Sequence, residues 1–248
     1  MLELCICLVA LVLVFVFFYK QKAQEFRISQ IEYTQLSALG DLLTELNPVV
    51  IRGLPMPSFL TPDTLQKNVR LGNFPVGENL TLKTYLDSDD FTLSAQPAEL
   101  RATLANDLGL PMWASHIWFE SLTSELWYSF CMNVSAEAYL TGAGLQKTVA
   151  GSTLIFPTSG TFLCSLLLES STQFLPTWEG RFLSDFTQAD TPLLHEVQYL
   201  DIKLRPGHAL VIPPHWIFSM QPDASVKKPM FAVVEFHHPI SRLAKALA

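Results

Sequence analysis

Six histidines are the residues of this 248-residue chain best suited to chemistry near neutral pH, because imidazole both titrates there and ligates metals. His208 and His215 flank the apolar run Ala209 to Ile212. Together with His195, or with the pair His237-His238, they could in principle assemble a metal site. Their positions argue otherwise, since His208 falls in an Arg-Pro-Gly-His turn and His215 directly follows Pro213-Pro214, both places that usually face solvent. His116, Trp118 and Glu120 make a His-x-Trp-x-Glu run that a strand would align on one face, and a surface or core cluster is the reading adopted for it. Of the four cysteines, Cys5 and Cys7 lie in the apolar N-terminus, which leaves Cys131 and Cys164 as candidates for a bridge. No CxxC or Cys/His zinc spacing occurs, so buried free thiols are the simpler expectation. The chain also lacks G-x-S-x-G, the P-loop and G-x-G-x-x-G, so acyl transfer, phosphoryl transfer and dinucleotide chemistry have no usual support. Gly142-Ala143-Gly144 reads as a hairpin turn, because no lysine-bearing helix follows it as a phosphate cradle requires.

The elements that would position such residues centre on Asp201 to Met220, DIKLRPGHALVIPPHWIFSM. Ile202 and Leu204 alternate with polar neighbours as in a half-buried strand, and Arg205-Pro206-Gly207-His208 supplies a type II turn. A hairpin is expected here. Pro213-Pro214 must stop the second strand, since proline offers no N–H to a ladder, and a third strand follows from Trp216 to Met220. Such tightly punctuated strands suit a small barrel or sandwich with its mouth at that corner. Val49-Val50-Ile51 before Arg52-Gly53 reads as a buried strand, and Phe231 to Phe236 as a closing core strand. Leu80 to Leu86 suggests another strand. Helices are expected at Leu36 to Leu46, after Thr61-Pro62-Asp63, and at Pro97 to Leu108 with Gly109 as the stop. Trp113, Trp118, Phe119, Trp127, Tyr128 and Phe130 form the densest aromatic segment, expected to pack as core and barrel wall.

The string L-x-P-G-x-x-L-x-I-P-P-x-W-x-x-x-M at Leu204 to Met220 resembles the second conserved block of the cupin-like JmjC family, and Asn47 to Pro55, NPVVIRGLP, resembles its opening strand. The resemblance implies a double-stranded β-helix and, in active members, an Fe(II)/2-oxoglutarate-dependent hydroxylase. It also implies where iron would sit: a histidine and a carboxylate in a first block, G-S-x-T-P-L-H-x-D, and a histidine after PPxW. Here the first block falls on Gly151 to Thr158, which puts Phe156 at the histidine and Thr158 at the carboxylate, while Phe218 takes the third place. His208 stands where the family usually has aspartate. Phenylalanine has no lone pair for iron, and a neutral hydroxyl is a poor substitute for a charged oxygen donor. The lysine that holds the distal carboxylate of 2-oxoglutarate in G-x-K would fall near Glu169-Ser170-Ser171, where like charge repels the diacid. The expected remnant is a vestigial pocket of Thr153, Phe156, Thr158, Ser171, Trp216 and Phe218, with His195, His208 and His215 as substitute ligands if the chain still holds a metal.

Leu4 to Tyr19 carries no charge and approaches the roughly 20 residues needed to cross a bilayer. It has no basic n-region and no small-x-small cleavage site, so an uncleaved single-pass anchor is expected. Lys20, Lys22 and Arg27 follow it, and the positive-inside bias then places the large domain in the cytoplasm. The sequons at Asn79 and Asn133 pull the other way. A net charge of −7, with no basic run, argues against nucleic acid as a partner. The expected layout is an anchor at 1–20, a linker and helix at 21–46, and a mainly β domain with flanking helices, a cupin-like jelly-roll barrel, at 47–248. Its expected role is that of a binding or scaffold module without cofactors. The alternatives are an Fe(II)/2-oxoglutarate hydroxylase with displaced ligands, and a β domain that binds a small ligand or carbohydrate.

Overall fold

The computed structural model describes residues 2–19, 26–77, 80–88, 96–122, 132–187 and 191–246. The described chain is mainly β with flanking helices, as expected. Strands β1 Ser29–Glu32, β2 Val49–Arg52, β10 His208–Ile212, β7 Ser152–Ser159, β12 Met230–His237 and β5 Asn133–Tyr139 lie side by side in that order in a six-stranded sheet. A four-stranded sheet follows the order β6 Ala143–Lys147, β11 Trp216–Pro222, β8 Phe162–Leu168 and β9 Tyr199–Leu204. A two-stranded pair, β3 Pro75–Gly77 and β4 Leu80–Thr81, stands apart. From β5 onward the chain passes back and forth between the two larger sheets, with β8 and β9 as the one consecutive pair that stays in the same sheet.

Both faces of the large sheet are buried, and strand alternation sorts the residues between them. On β7, Ile155 points into the space between the sheets with Phe162, Cys164, Leu166, Leu210, Trp216, Phe218, Phe231 and Val233. Its neighbours Leu154 and Phe156 point the other way, with Ala136, Ala138, Val211, Ala232, Val234 and Phe236. That outer layer packs against helices, among them α5 Ala98–Asp107 and α6 Leu110–Leu122. A strand covered on both faces reads as a continuous apolar run, which is why ALVI and FAVV show no polar alternation.

Several expectations change. The segment Asp201 to Ile212 is not a hairpin: β9 pairs with β8, while β10 pairs with β2 and β7. The Pro206-Gly207 turn, with Gly207 at φ +92°, carries the chain from one sheet to the other. Residues 29–46 are part of the domain rather than a linker, since β1 runs parallel to β2 at the edge of the large sheet. Leu80 to Leu86 is a two-residue strand followed by helix α4 Leu82–Asp87, whose start is capped by the Thr81 hydroxyl accepting from Thr84 N–H. Gly142-Ala143-Gly144 is not a hairpin turn, because β5 and β6 belong to different sheets.

Other helices keep closer to expectation. Tyr33–Ala38 is a tight 3-10 turn that runs into α2 Leu39–Thr44, ended by Leu46 at φ +58°. Helix α3 Pro62–Lys67 is capped by Thr61, and α5 ends before Gly109 at φ +70°. Residues 116–120 lie inside α6, so the strand alternation that would align His116, Trp118 and Glu120 does not apply. Trp127, Tyr128, Phe130, Cys131 and Asn79 lie outside the described residues.

Helix α1 Leu2–Tyr19 has 18 residues, about 27 Å at 1.5 Å per residue. Among the described residues no helix is long and apolar enough to cross a membrane. Leu8, Leu11, Leu13, Val14, Phe15 and Phe17 are nevertheless exposed on α1, which packs beside α7 Pro239–Ala246.

Candidate functional site

Polar side chains gather at one end of the space between the sheets. On β5, Ala136 and Ala138 face the helix layer, so alternation turns Ser135, Glu137 and Tyr139 inward. On β12 the same rule turns Glu235 and His237 inward beside Val233. On β6, Gln146 lies directly across from Phe218 of β11. These residues, with Ala102 and Lys147, line a cavity of about 110 Å³ in which His237 takes no part as a wall residue. A larger cleft of about 420 Å³ adjoins it and shares Tyr139, Gln146 and Lys147. Gln96, Arg101, Glu179 and Gly180 complete its rim.

The charges in this region are mostly paired. Arg101 Nε donates to Glu137 Oε2 at 2.7 Å, and the guanidinium also donates to the Gln96 carbonyl and lies over the Tyr139 ring at 4.5 Å. Phe231 stacks on the other side of that ring, 4.4 Å between centroids. Burial, reinforced by the nearby Glu137 carboxylate, pushes the Tyr139 hydroxyl well above the usual phenol range. It therefore stays protonated and serves as a hydrogen-bonding group, 3.4 Å from the Gln146 amide. Lys147 Nζ pairs with Glu169 Oε1 at 3.0 Å. His237 Nε2 is 3.0 Å from Glu235 Oε2 and 3.2 Å from Ser135 Oγ. Both contacts use the same nitrogen, so the carboxylate does not orient the ring from its far side as a nucleophilic triad requires.

The residues singled out from the sequence scatter. Phe218 is 2% exposed and lines the smaller cavity. Phe156 is fully buried on the opposite face of the large sheet, 5.1 Å from the Trp113 ring. Thr158 donates its hydroxyl to the Met230 carbonyl at 3.3 Å. Phe156, Thr158 and Phe218 therefore do not converge on one pocket. The reason is the two-residue period of a strand, in which a one-residue offset moves a side chain to the other face. Ser171 sits in the 3-10 turn after β8 and donates to the Gln198 carbonyl. Trp216 is fully buried between the sheets, its indole N–H donating to the Leu46 carbonyl at 3.0 Å, with Phe26 5.6 Å away. Thr153, paired with Glu235 across the β7–β12 ladder, is buried with no hydrogen-bond partner for its hydroxyl among the described residues.

The histidines do not assemble either. His195 is exposed beside Glu196. His208 begins β10 and His215, at φ +70°, follows its end, so the length of the strand, about 13 Å at 3.3 Å per residue, stands between them. Partial burial, with Arg205 and Arg52 nearby, holds the His208 imidazole below its usual pKa. Among the described residues no three His, Cys, Asp or Glu side chains form a group that could hold a metal ion. Cys164 is a buried free thiol, and burial pushes its pKa far up. The residues that the resemblance brings to the iron positions thus do not fit the metal: one ring faces a helix, one hydroxyl serves a backbone carbonyl, and one ring has no lone pair.

Sequence reasoning missed Gln96, Arg101, Ser135, Glu137, Tyr139, Gln146 and Glu235, and named His237 only as a possible metal ligand. A signal for part of this set was present. In Asn133 to Tyr139, NVSAEAY, small apolar and polar residues alternate, and Glu235 interrupts an otherwise apolar strand. Gln96 and Arg101 reach the site from outside the two larger sheets, and no local pattern marks them. No family model and no curated protein matches this chain.

Proposed function

We propose that the chain is a cupin-like, JmjC-type β domain without a catalytic iron centre, acting as a binding or scaffold module tethered to a membrane through α1. The strand order supports the fold reading: β5, β7, β10 and β12 lie in one sheet and β6, β8, β9 and β11 in the other, and a double-stranded β-helix needs this back-and-forth winding. One observation carries the functional reading. Position 218 faces the space between the sheets from β11, where the PPxW block directs the last iron ligand, and it holds a phenylalanine opposite Gln146. An apolar ring beside a neutral amide is a poor host for a bare divalent ion.

The test is the metal and co-substrate content of the purified full-length chain. No stoichiometric iron and no succinate formed from 2-oxoglutarate are the expected results. Stoichiometric iron, or succinate production, would instead promote the hydroxylase alternative with displaced ligands. The second reading, a small-ligand or carbohydrate-binding domain, is favoured by the cleft of about 420 Å³ beside Tyr139 and Gln146. Membrane attachment draws support from the exposed apolar side chains of α1 and from the lysines that follow it. Full-length protein should resist carbonate extraction, and a chain beginning near Ala23 should be released. A glycosidase-sensitive mobility shift through Asn79 or Asn133 would reverse the cytoplasmic orientation.

A further inference from the structure

We propose that the chain pairs with a second copy of itself through the free edge of β9, the two strands running antiparallel about a two-fold axis at Ile202. This interface is separate from the cleft, and it holds whether or not the domain carries iron. The two larger sheets end in four edge strands, β1, β5, β6 and β9. Helix α5 packs against β5. A loop closes on β6, where Leu145 N–H donates to the Arg181 carbonyl and the Leu145 carbonyl accepts from Gly180 N–H. Strand β1 is four residues long and leads straight into a 3-10 turn. Strand β9 has six residues, and among the described residues no loop or strand backbone other than β8 bonds to it. An open edge of this kind offers its donors and acceptors to another strand.

The neighbouring ladders fix which backbone groups of β9 point outward. Pro222 lies across from Phe162 at the end of the β11–β8 ladder, and Asp223 N–H donates to the Thr161 carbonyl at 2.9 Å. Thr161 and Asp223 are thus a hydrogen-bonded pair. Alternation along β8 then directs the backbone groups of its odd-numbered residues to β11 and those of its even-numbered residues to β9. Phe162, Cys164 and Leu166 stand opposite Leu204, Ile202 and Leu200. The N–H and C=O groups of Tyr199, Asp201 and Lys203 therefore point away from the sheet. Their side chains are exposed as well, while Leu200 and Ile202, on the inner face, are only half-buried.

Side-chain charge then selects one register. Outward groups meet outward groups only when odd-numbered residues stand opposite odd-numbered ones. Centring the pair on Asp201 sets that carboxylate against its own copy, centring it on Lys203 sets two ammonium groups together, and centring it on Leu204 sets Lys203 against Arg205. Centring it on Leu200 shortens the ladder. Centring it on Ile202 places Asp201 opposite Lys203 of the second copy, and the two-fold axis repeats that pair. Leu200 then meets Leu204 on the inner face, Ile202 meets itself, and Tyr199, 51% exposed, comes opposite Arg205. Existing contacts leave both charges able to pair. Asp201 Oδ1 accepts the Ser165 hydroxyl at 2.6 Å, which uses one of two oxygens. Lys203 Nζ lies 3.9 Å from Asp223, with both side chains exposed, too long for a hydrogen bond that would hold it.

Sedimentation equilibrium of the full chain in detergent compares the parent, Asp201→Lys, Lys203→Asp, and an equimolar mixture of the two variants. The parent should form a dimer at concentrations up to about 100 μM. Each variant alone sets like charges opposite each other and should self-associate at least about tenfold more weakly. In the mixture the chain with two positive charges meets the chain with two negative ones, so the dimer should return. A second measurement does not depend on charge. Ile202→Cys should give a disulfide-linked dimer on mild oxidation, above the background set by the parent's exposed Cys7, because a non-hydrogen-bonded pair brings its Cα atoms to about 4.5 Å. Asp201→Cys, offset by two residues from its own copy, should not. A parent that stays monomeric, including one that instead takes a strand from a different protein, would overturn the assignment. So would association equal in the parent and both variants, as contact through α1 would give, a mixture no tighter than its components, or a disulfide at position 201 as ready as at 202.

Discussion

Replacing Phe156 by alanine tests the placement on which the whole site description turns. The ring is fully buried on the helix-facing side of the large sheet and contacts Trp113 at 5.1 Å. Truncating a buried phenylalanine costs about 3–5 kcal/mol, and the lost aromatic pair falls toward the upper part of that range. For a domain of this size each kcal/mol lowers the melting temperature by about 2–4 °C, so a drop of about 6–20 °C is expected. Thermal unfolding followed by tryptophan fluorescence is a direct assay, since Trp113 loses its neighbour. Binding in the cleft should be unchanged at temperatures where the variant is folded, because Phe156 and Phe218 lie on opposite sides of the sheet. The companion variant Phe156→His with Phe218→His should gain no iron. A melting shift under about 2 °C, or iron taken up cooperatively by the double variant, would refute the assignment of the two rings to separate faces.

Two further outcomes follow from local geometry. Gly144→Ala should cost about 1–3 kcal/mol through the clash with Gly180 backbone and make the 178–181 loop easier to cleave with protease; unchanged denaturation and cleavage would mean that the strand and loop are not so closely apposed. Burial, with His237 beside it, lowers the pKa of His238, whose Nδ1 accepts the Ser241 N–H at 3.1 Å at the start of α7. The unfolded chain then takes up this proton first, so stability is complete above the unfolded value of about 6.5 and declines as pH falls below it toward the lower folded value. His238→Asn, which keeps an acceptor but does not titrate, should flatten the urea-denaturation midpoint against pH in that window, with a remainder from His208, which is shifted the same way. A midpoint that rises on acidification in the parent would contradict the sign.

Much of the secondary structure was written locally. Gly207 and Pro213-Pro214 punctuate β10, Thr61 and Gly109 mark helix ends, and the β-branched run Val49 to Ile51 is a strand, because turn chemistry and capping depend on residues within a few positions of one another. Which sheet each strand joins was decided by tertiary pairing: the Pro-Gly turn could have closed a hairpin, and instead it hands the chain from β9 to β10 across the domain. The choice of face was hidden for a related reason. In β7 both faces are buried, so apolarity gives no sign of whether Ile155 or Phe156 points inward, and only packing against the helices or the second sheet settles it. The cleft is the extreme case, since Gln96, Arg101, Gln146 and Gly180 become neighbours only after the helices, strands and loops that carry them have folded together.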